Sequence, residues 1–270
     1  MALDAGLRAH LLEPAKAALL APRLVDPAKV TLALHFPDDG TARAGEITAA
    51  QRDRSGAAFV PEAKVTGFER RNGKVTGVPA RGEVWPADDV VLATGIWGAE
   101  LGLPLIPVAH PYGYGPKRAP QPPTPFVRWP QHHVYARDHG ERDGFGTYDH
   151  EPIPVHDLPD RAELPWPGAL FDDAIAKASE LMPTRFEPAE RHNAIFSITP
   201  DHLPLLGRLE TGLWAAVAIW VTHAAGAAAV LANQLIDDEP DGMLSPHRFD
   251  GEAGLEARAL RCYRDIYAAE

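Results

Sequence analysis

A chain of 270 residues, 45% hydrophobic and 23% charged, has the length and apolar content for one large domain or two interleaved ones. Its 37 acidic residues outnumber 26 basic ones, a net charge of −11 with no Lys/Arg cluster, which argues against a nucleic-acid-binding surface. The single cysteine, Cys262, excludes an internal disulfide and suits the cytosol, and the longest apolar run, 213–236, is broken by Thr222, His223 and Asn233 and reads as buried core rather than a membrane span.

The start, MALDAGLRAH, has no basic-then-apolar pattern, so no secretory signal is expected. Residues 6–20 (GLRAHLLEPAKAALL) are predicted to be helical, VTLALHF (30–36) a strand, and TARAGEITAAQRDRSG (41–56) a second helix closed by a glycine C-cap. Over 57–95 the period shortens to four or five strands, with Asn72–Gly73 as a hairpin turn between two of them. VVLA (90–93), opened by two valines, is predicted to be a strand buried on both faces; Gly95 ends it and WGAELG begins a short helix. Many of the 27 prolines fall between Pro104 and Pro167, so 106–150 is expected to be strands and loops. An amphipathic helix over 169–182 follows, then the strand NAIFSIT (193–199), a turn at PDHLP (200–204), and strands in LLGRL and GLWAAVAIW. That last strand breaks at Val221–Thr222–His223 and restarts as a long Ala-rich helix; a further amphipathic helix lies near 252–268. No internal repeat is found. The order specifies an α/β (α+β) protein with a separate sheet near 106–198.

The β-ribbon followed by VVLATG resembles the latter half of a Rossmann-type FAD-binding domain. Such a domain needs a Gly-rich turn after its first strand, because only glycine lets backbone approach a pyrophosphate at a helix N-terminus. The G-x-G candidates, GYG (113–115) and GFG (144–146), open no helix and read as turn or strand glycines. The phosphate-cradling element is therefore expected to be missing.

Taken in order, KVTGFERRNGKVTGV, ADDVVLATGIWGAELG, PVAHPYG, VYARDHGERDGFGTYDHEP, IFSITPDHLPLLG and VAIWVTHAAG resemble the FAD-dependent amine oxidoreductases of the D-amino-acid-oxidase superfamily. The likeness is to the flavin part of dimethylglycine oxidase and its dimethylglycine and sarcosine dehydrogenase relatives. The resemblance implies FAD as cofactor and oxidation of the C–N bond of a small N-methylated amino acid by hydride transfer to flavin, with oxygen or an electron-transfer flavoprotein as final acceptor. It implies a partial FAD-binding domain over 1–105 and 195–240, interleaved with an antiparallel-sheet substrate domain over 106–194 and followed by a helical tail over 241–270. The family's upstream Gly-rich turn, its flavin-linked histidine and its C-terminal folate-binding region find no counterpart in the sequence. An upstream FAD-binding segment or subunit and a folate-binding partner are accordingly implied as partners. The alternative is a non-catalytic remnant or subunit that cannot hold FAD alone; a binding protein for small betaines is a third reading.

By the resemblance, His110 (PVAHPYG) is the active-site histidine beside the substrate amine, able to accept its proton, and Tyr135 (HVYARD) bonds substrate or flavin. The plainer readings are a satisfied strand histidine and an aromatic on a strand face. Ala136 stands where the family often has a second tyrosine. Val65 would meet the adenine end through its backbone, and Ala93, Thr94 and Gly95 would end a strand at the cofactor crevice. Asp201, Leu205 and Gly207 are placed near the flavin, with a tight turn and core strand as the bland reading. Val221, Thr222, His223 and Ala224 open a helix whose N–H groups and positive dipole end would face the flavin's pyrimidine edge. Monomeric sarcosine oxidases carry a lysine in this segment and this chain has none, which favours a dimethylglycine-type pocket. The remaining histidines give no two-His-plus-carboxylate spacing, so no metal site is expected, and Ser197 has no nucleophile-elbow context.

Overall fold

A computed structural model describes residues 6–41, 43–185, 187–237 and 242–267. The segment 6–20, expected to be one helix, divides into β1 (His10–Leu12) and α1 (Pro14–Leu20). Glu13 is extended at φ −63°, ψ 150°, because the residue before a proline is driven from the α region, and Pro14 then opens the helix where its missing N–H costs nothing. β1 pairs antiparallel with β2 (Ala33–His35), a shorter strand than the one expected over 30–36. α2 (Ala44–Ser55) closes on Gly56 in the left-handed region at φ 66°, as its sequence predicts, yet buries none of its residues.

β3 (Glu69–Arg71), β4 (Lys74–Ala80) and β5 (Glu83–Pro86) form an antiparallel sheet. Asn72 and Gly73 both have positive φ (51° and 76°), the turn form whose twist matches that of hairpin strands. Arg81–Gly82 repeats the arrangement at the second hairpin (53° and 80°). β6 (Val90–Leu92) corrects the expectation of a strand buried on both faces: Val91 is 42% exposed. Among the described residues β6 has a neighbour on one side only, so its other edge and part of its surface stay open. A 3₁₀ stretch, Gly95–Leu101, leads into the largest sheet.

That sheet contains β7 (Ile106–Tyr114), β8 (Val127–Trp129), β9 (Val134–Asp138), β10 (Asp143–Thr147), β11 (Glu163–Leu164) and β12 (Glu190–Ile198) in the order β11-β12-β7-β10-β9-β8, antiparallel throughout. β12 stays paired with β7 to Ile198↔Ile106. Between β11 and β12 runs α3 (Ala169–Ser179), whose Phe171, Ala174, Ile175 and Ala178 are buried. Successive strand residues point to opposite faces, so the sheet has two cores. On the α3 side, Ala109, Ala136, Phe145 and Ile195 meet apolar residues of α1 and α3. On the other side, Val108 and Ile198 pack with Tyr148 and with a helix near the C-terminus.

β13 (Leu205–Glu210) and β14 (Leu213–Val217) form a hairpin, and β14 runs parallel to β6 in the register Leu213↔Val90. This short pair is the parallel pairing among the described strands. A 3₁₀ turn, Val221–His223, then leads directly into α4 (Ala224–Asp237), the break and restart expected there. The last helix, α5 (Leu255–Arg264), lies against β7 and β12 through Ala259 and Tyr263. The domain edge expected between 240 and 241 and the end of the tail at 268–270 lie outside the described residues.

Candidate active site

The α5-facing side of the large sheet carries a run of aromatic and imidazole rings. β7 contributes Val108, His110, Tyr112 and Tyr114 to this face, each two residues from the last. β9 contributes Tyr135 and β12 contributes Phe196. Opposite them the middle strand β10 offers Gly144 and Gly146, paired with Tyr114 and Tyr112. These glycines are strand residues, and a side chain at either would collide with a ring: a Cβ on Gly146 would sit 2.5 Å from the Tyr135 hydroxyl, and one on Gly144 would sit 2.6 Å from that of Tyr112. The G-F-G stretch thus makes room for two phenols lying across the sheet. Gly146→Ala is expected to push Tyr135 off His110 and to destabilise the fold by about 1–3 kcal/mol. Thermal unfolding measures the loss, and an unshifted melting curve would contradict the packing described.

His110, 1% exposed, is at the centre. Its Nε2 is 2.8 Å from the Tyr135 hydroxyl and its Nδ1 is 2.6 Å from the Tyr263 hydroxyl of α5. Phe196 stacks on it with ring centres 4.3 Å apart, and Tyr148 lies tilted at 4.5 Å. Burial, with nearby His150 adding to it, holds the imidazole well below its usual pKa, so it is uncharged at neutral pH. Burial and then the surrounding phenols push Tyr135 well above its usual value, and burial followed by Tyr148 does the same to Tyr263. Tyr135 as a whole is half-buried, whereas His110 is fully buried behind it.

The two residues taken as catalytic are thus brought into direct contact. Ala136 faces the other way, fully buried in the α3-side core, so it does not shape the face that carries Tyr135. Phe196 also touches Trp220, edge-on at 5.8 Å, and Trp220 immediately precedes the turn Val221–His223. Two ring contacts therefore link His110 to the start of α4.

The other singled-out residues fall in three places. Val221, Thr222, His223 and Ala224 are exposed at the mouth of α4, beside the exposed Ala225 and Gly226, where a Cβ on Gly226 would meet nothing within 4 Å. Ala93 and Gly95 are exposed at the end of β6, Gly95 at φ 56°, and Thr94 between them has a buried hydroxyl without a hydrogen-bond partner. Val65, 48% exposed, bridges to Ala80 beside the three-stranded sheet. By contrast, Leu205 and Gly207 are enclosed in β13, paired with Val217 and Ala215, and present no free surface. Asp201 is engaged by protein: its carboxylate accepts from Arg248 Nε at 2.8 Å and Nη2 at 2.9 Å and from the Leu203 N–H at 3.0 Å. Burial alone would raise its pKa, but these donors hold it below the usual carboxylate value. Asp201 is thus committed to its ion pair with Arg248, and Leu205 and Gly207 to the β13–β14 hairpin.

The rings of Phe196, Tyr148 and Trp220 and two hydrogen-bonding members of the site, Tyr263 and His150, came from outside the residues singled out by sequence. Tyr263, fully buried, sits on α5 one turn beyond the equally buried Ala259, so the amphipathic pattern of the tail marked it as inward-facing. His150, 8% exposed, bonds the same Tyr263 hydroxyl through Nε2 at 2.9 Å. Nothing in TYDHEP signals that contact, which spans 113 positions of sequence.

The open helix start, its small flanking residues and the unpartnered Thr94 hydroxyl suit the carbonyl-rich edge of an isoalloxazine ring. Among the described residues there is no strand–Gly-rich turn–helix unit that would suit a pyrophosphate. The chain fits the flavin end of FAD.

Residues 1–234 match the family profile described as FAD dependent oxidoreductase (DAO), and the chain belongs to that family. Over 264 residues it is 28% identical to human mitochondrial dimethylglycine dehydrogenase, a match covering 86% of this chain and 30% of that protein. Over 224 residues it is 28% identical to human mitochondrial sarcosine dehydrogenase, covering 75% of this chain and 24% of that one. The chain thus spans less than a third of the length of these relatives. In fold it is similar to L-proline dehydrogenase from P. horikoshii (TM-score 0.70, 21% identity, 92% of this chain and 70% of that one). It is equally similar to glycine oxidase from Geobacillus kaustophilus (TM-score 0.70, 22% identity, 92% and 69%). No helix among the described residues is long and apolar enough to cross a membrane.

Proposed function

We propose that this chain is the substrate-facing part of an FAD-dependent oxidoreductase that oxidises the C–N bond of a small N-methylated amino acid such as dimethylglycine or sarcosine. The observation that carries this reading is the Tyr135–His110 bond, joined through Phe196 and Trp220 to the open helix start at Val221. Bound FAD supplies the two-electron acceptor for the hydride that leaves carbon. The chain's own residues prepare the amine. A protonated amine has no lone pair to support loss of hydride from its neighbouring carbon. Tyr135 and the uncharged His110 form an acid–base pair that can take up that proton in a site walled by rings. In this reading the N–H groups of Val221 and Thr222 and the helix dipole behind them support negative charge on a reduced flavin, while those of His223 and Ala224 are given to the Trp220 and Val221 carbonyls. The partners in this reading are the small amine, a segment or subunit that holds the pyrophosphate of FAD, and a folate-binding partner for the one-carbon product. The lone Cys262, half-buried and with its thiol pKa raised chiefly by burial, suits a reducing compartment such as the cytosol.

The missing pyrophosphate-binding unit among the described residues favours a second reading, in which the chain alone does not retain FAD. Purifying the chain with excess FAD and assaying a panel of amines with an artificial electron acceptor separates the two. Turnover of dimethylglycine or sarcosine above that of glycine is the expected result. A chain that keeps its fold but emerges colourless supports the second reading, and turnover confined to primary amino acids overturns the proposed substrate class.

A further inference from the structure

The hydrogen bonds around His110 form one continuous chain, and one end of it has a fixed polarity. His150 Nδ1 is 2.9 Å from the Glu151 carbonyl oxygen, which can only accept, so that nitrogen carries a hydrogen. Burial lowers the pKa of His150, against the raising effects of the Glu151 carbonyl, Asp149 and Glu151, so this ring, like that of His110, is uncharged near neutral pH. An uncharged ring protonated at Nδ1 has a bare Nε2, which accepts from the Tyr263 hydroxyl at 2.9 Å. The alternative acceptor for that hydroxyl, the Ala109 carbonyl, is farther away at 3.3 Å. With its hydrogen given to His150, the Tyr263 oxygen accepts from His110 Nδ1 at 2.6 Å. His110 Nε2 is then bare and accepts from Tyr135 at 2.8 Å.

We infer that Tyr263 and His150 are positioning residues that hold His110 in its Nδ1–H form, so that Nε2 faces Tyr135 as a base. The inference rests on the reading of His110 and Tyr135 as the amine-facing pair. Its chemistry balances as a shift of protons along bonds already made. The amine N–H proton passes to the Tyr135 oxygen as the phenol hydrogen moves to His110 Nε2. The His110 Nδ1 hydrogen moves to Tyr263, whose own hydrogen moves to His150 Nε2. A proton carried this far would rest on His150, where the Glu151 carbonyl and the Asp149 and Glu151 carboxylates offset part of the cost that burial sets on a charged ring. The last helix, expected from sequence to be a tail, thereby becomes part of the site.

Ring ¹⁵N shifts of the labelled full chain near neutral pH test the tautomer without any flavin. The expected result is His110 protonated at Nδ1 and bare at Nε2. In Tyr263→Phe, Nδ1 loses its acceptor, and the ring is expected to switch to the Nε2–H form, donating to Tyr135. In His150→Phe the Tyr263 hydroxyl is freed to donate to His110 Nδ1, and the same switch is expected with Tyr263 retained. In flavin-loaded protein both variants are expected to lower the limiting rate of flavin reduction about 10²-fold, with the half-saturating amine concentration little changed. Nε2–H in the unmodified chain, or Nδ1–H persisting in both variants, overturns the inference, as do variants that reduce flavin at the unmodified rate. An unmodified protein that shows the Nδ1–H form yet reduces flavin with no amine overturns the amine reading and leaves the hydrogen-bond assignment standing.

Discussion

Replacing His110 by alanine is expected to slow flavin reduction by amine about 10²- to 10⁴-fold, the range that a positioned proton acceptor contributes. The same change is expected to cost about 3 kcal/mol of stability, because it opens a void beneath Phe196 and strips the Tyr135 hydroxyl of its imidazole partner. Tyr263 loses less, since His150 and the Ala109 carbonyl remain within reach. Rapid mixing with amine under anaerobic conditions reads the first effect, and thermal unfolding reads the second. The two are separable: Tyr135→Phe keeps the ring and removes only the hydroxyl, so it is expected to slow reduction with a much smaller loss of stability. Unchanged reduction in both variants would remove His110 and Tyr135 from the chemistry.

The second large effect is structural. The Asp138 carboxylate, its side chain 4% exposed, accepts from Arg23 Nη2 at 2.7 Å, Arg118 Nη2 at 2.9 Å, the Gly140 N–H at 2.8 Å and the Thr124 N–H at 3.1 Å. It therefore ties the segment after α1 and the Pro-rich loop around 115–126 to the β9–β10 turn. Asp138→Ala leaves two guanidinium groups, each with 18% exposed side chains, sharing Asp143 alone among these carboxylates. Breaking such a buried ionic group by removing one partner is expected to cost about 3–5 kcal/mol, measured by denaturant unfolding. Acid titration provides an independent check. Burial by itself would raise the Asp138 pKa, but Gly140, Arg118, Thr124 and Arg23 together hold it below the usual carboxylate value. A carboxyl that is more acidic when folded contributes its full stabilisation above its unfolded pKa of about 3.9 and loses it as the pH falls through the lower folded value. The stability difference between the native chain and Asp138→Ala is therefore expected to be constant above about pH 5 and to shrink below about pH 4. A difference independent of pH in that window would contradict the role given to this carboxylate.

Features set by a few neighbouring residues were legible in the sequence. Asn72–Gly73 named its hairpin because two consecutive positive φ angles suit few other pairs, and Gly56 closed α2 for the same reason. The break at Val221–Thr222–His223 was visible as an interruption between an apolar strand and an Ala-rich helix. The helix over 6–20 failed at Pro14, a local signal that was present and outweighed by apolar periodicity. What depended on distant partners was not legible. VVLA has the composition of a doubly covered strand, but coverage is a property of its neighbours, and Val91 remains exposed. The G-F-G of β10 reads in sequence as turn or strand glycine, because its use depends on the rings of Tyr112 and Tyr135 that cross it from other strands. His110 and Tyr135 were marked by resemblance alone, since 25 positions separate them and no periodicity joins β7 to β9 across the intervening β10. Tyr263 and His150 carried no chemical signal of their own, because each gains its meaning from a hydroxyl–imidazole contact across more than a hundred residues.

The proposal that this chain presents a small N-methylated amine to flavin through Tyr135 and His110 stands or falls on a single anaerobic turnover. The chain, loaded with FAD at one flavin per protein, is mixed with dimethylglycine while the visible flavin band is followed and the amine consumed is counted. Full two-electron bleaching with one amine consumed per flavin is expected. Flavin that is bound at that ratio yet stays oxidised with dimethylglycine, sarcosine and their N-methylated homologues would contradict it.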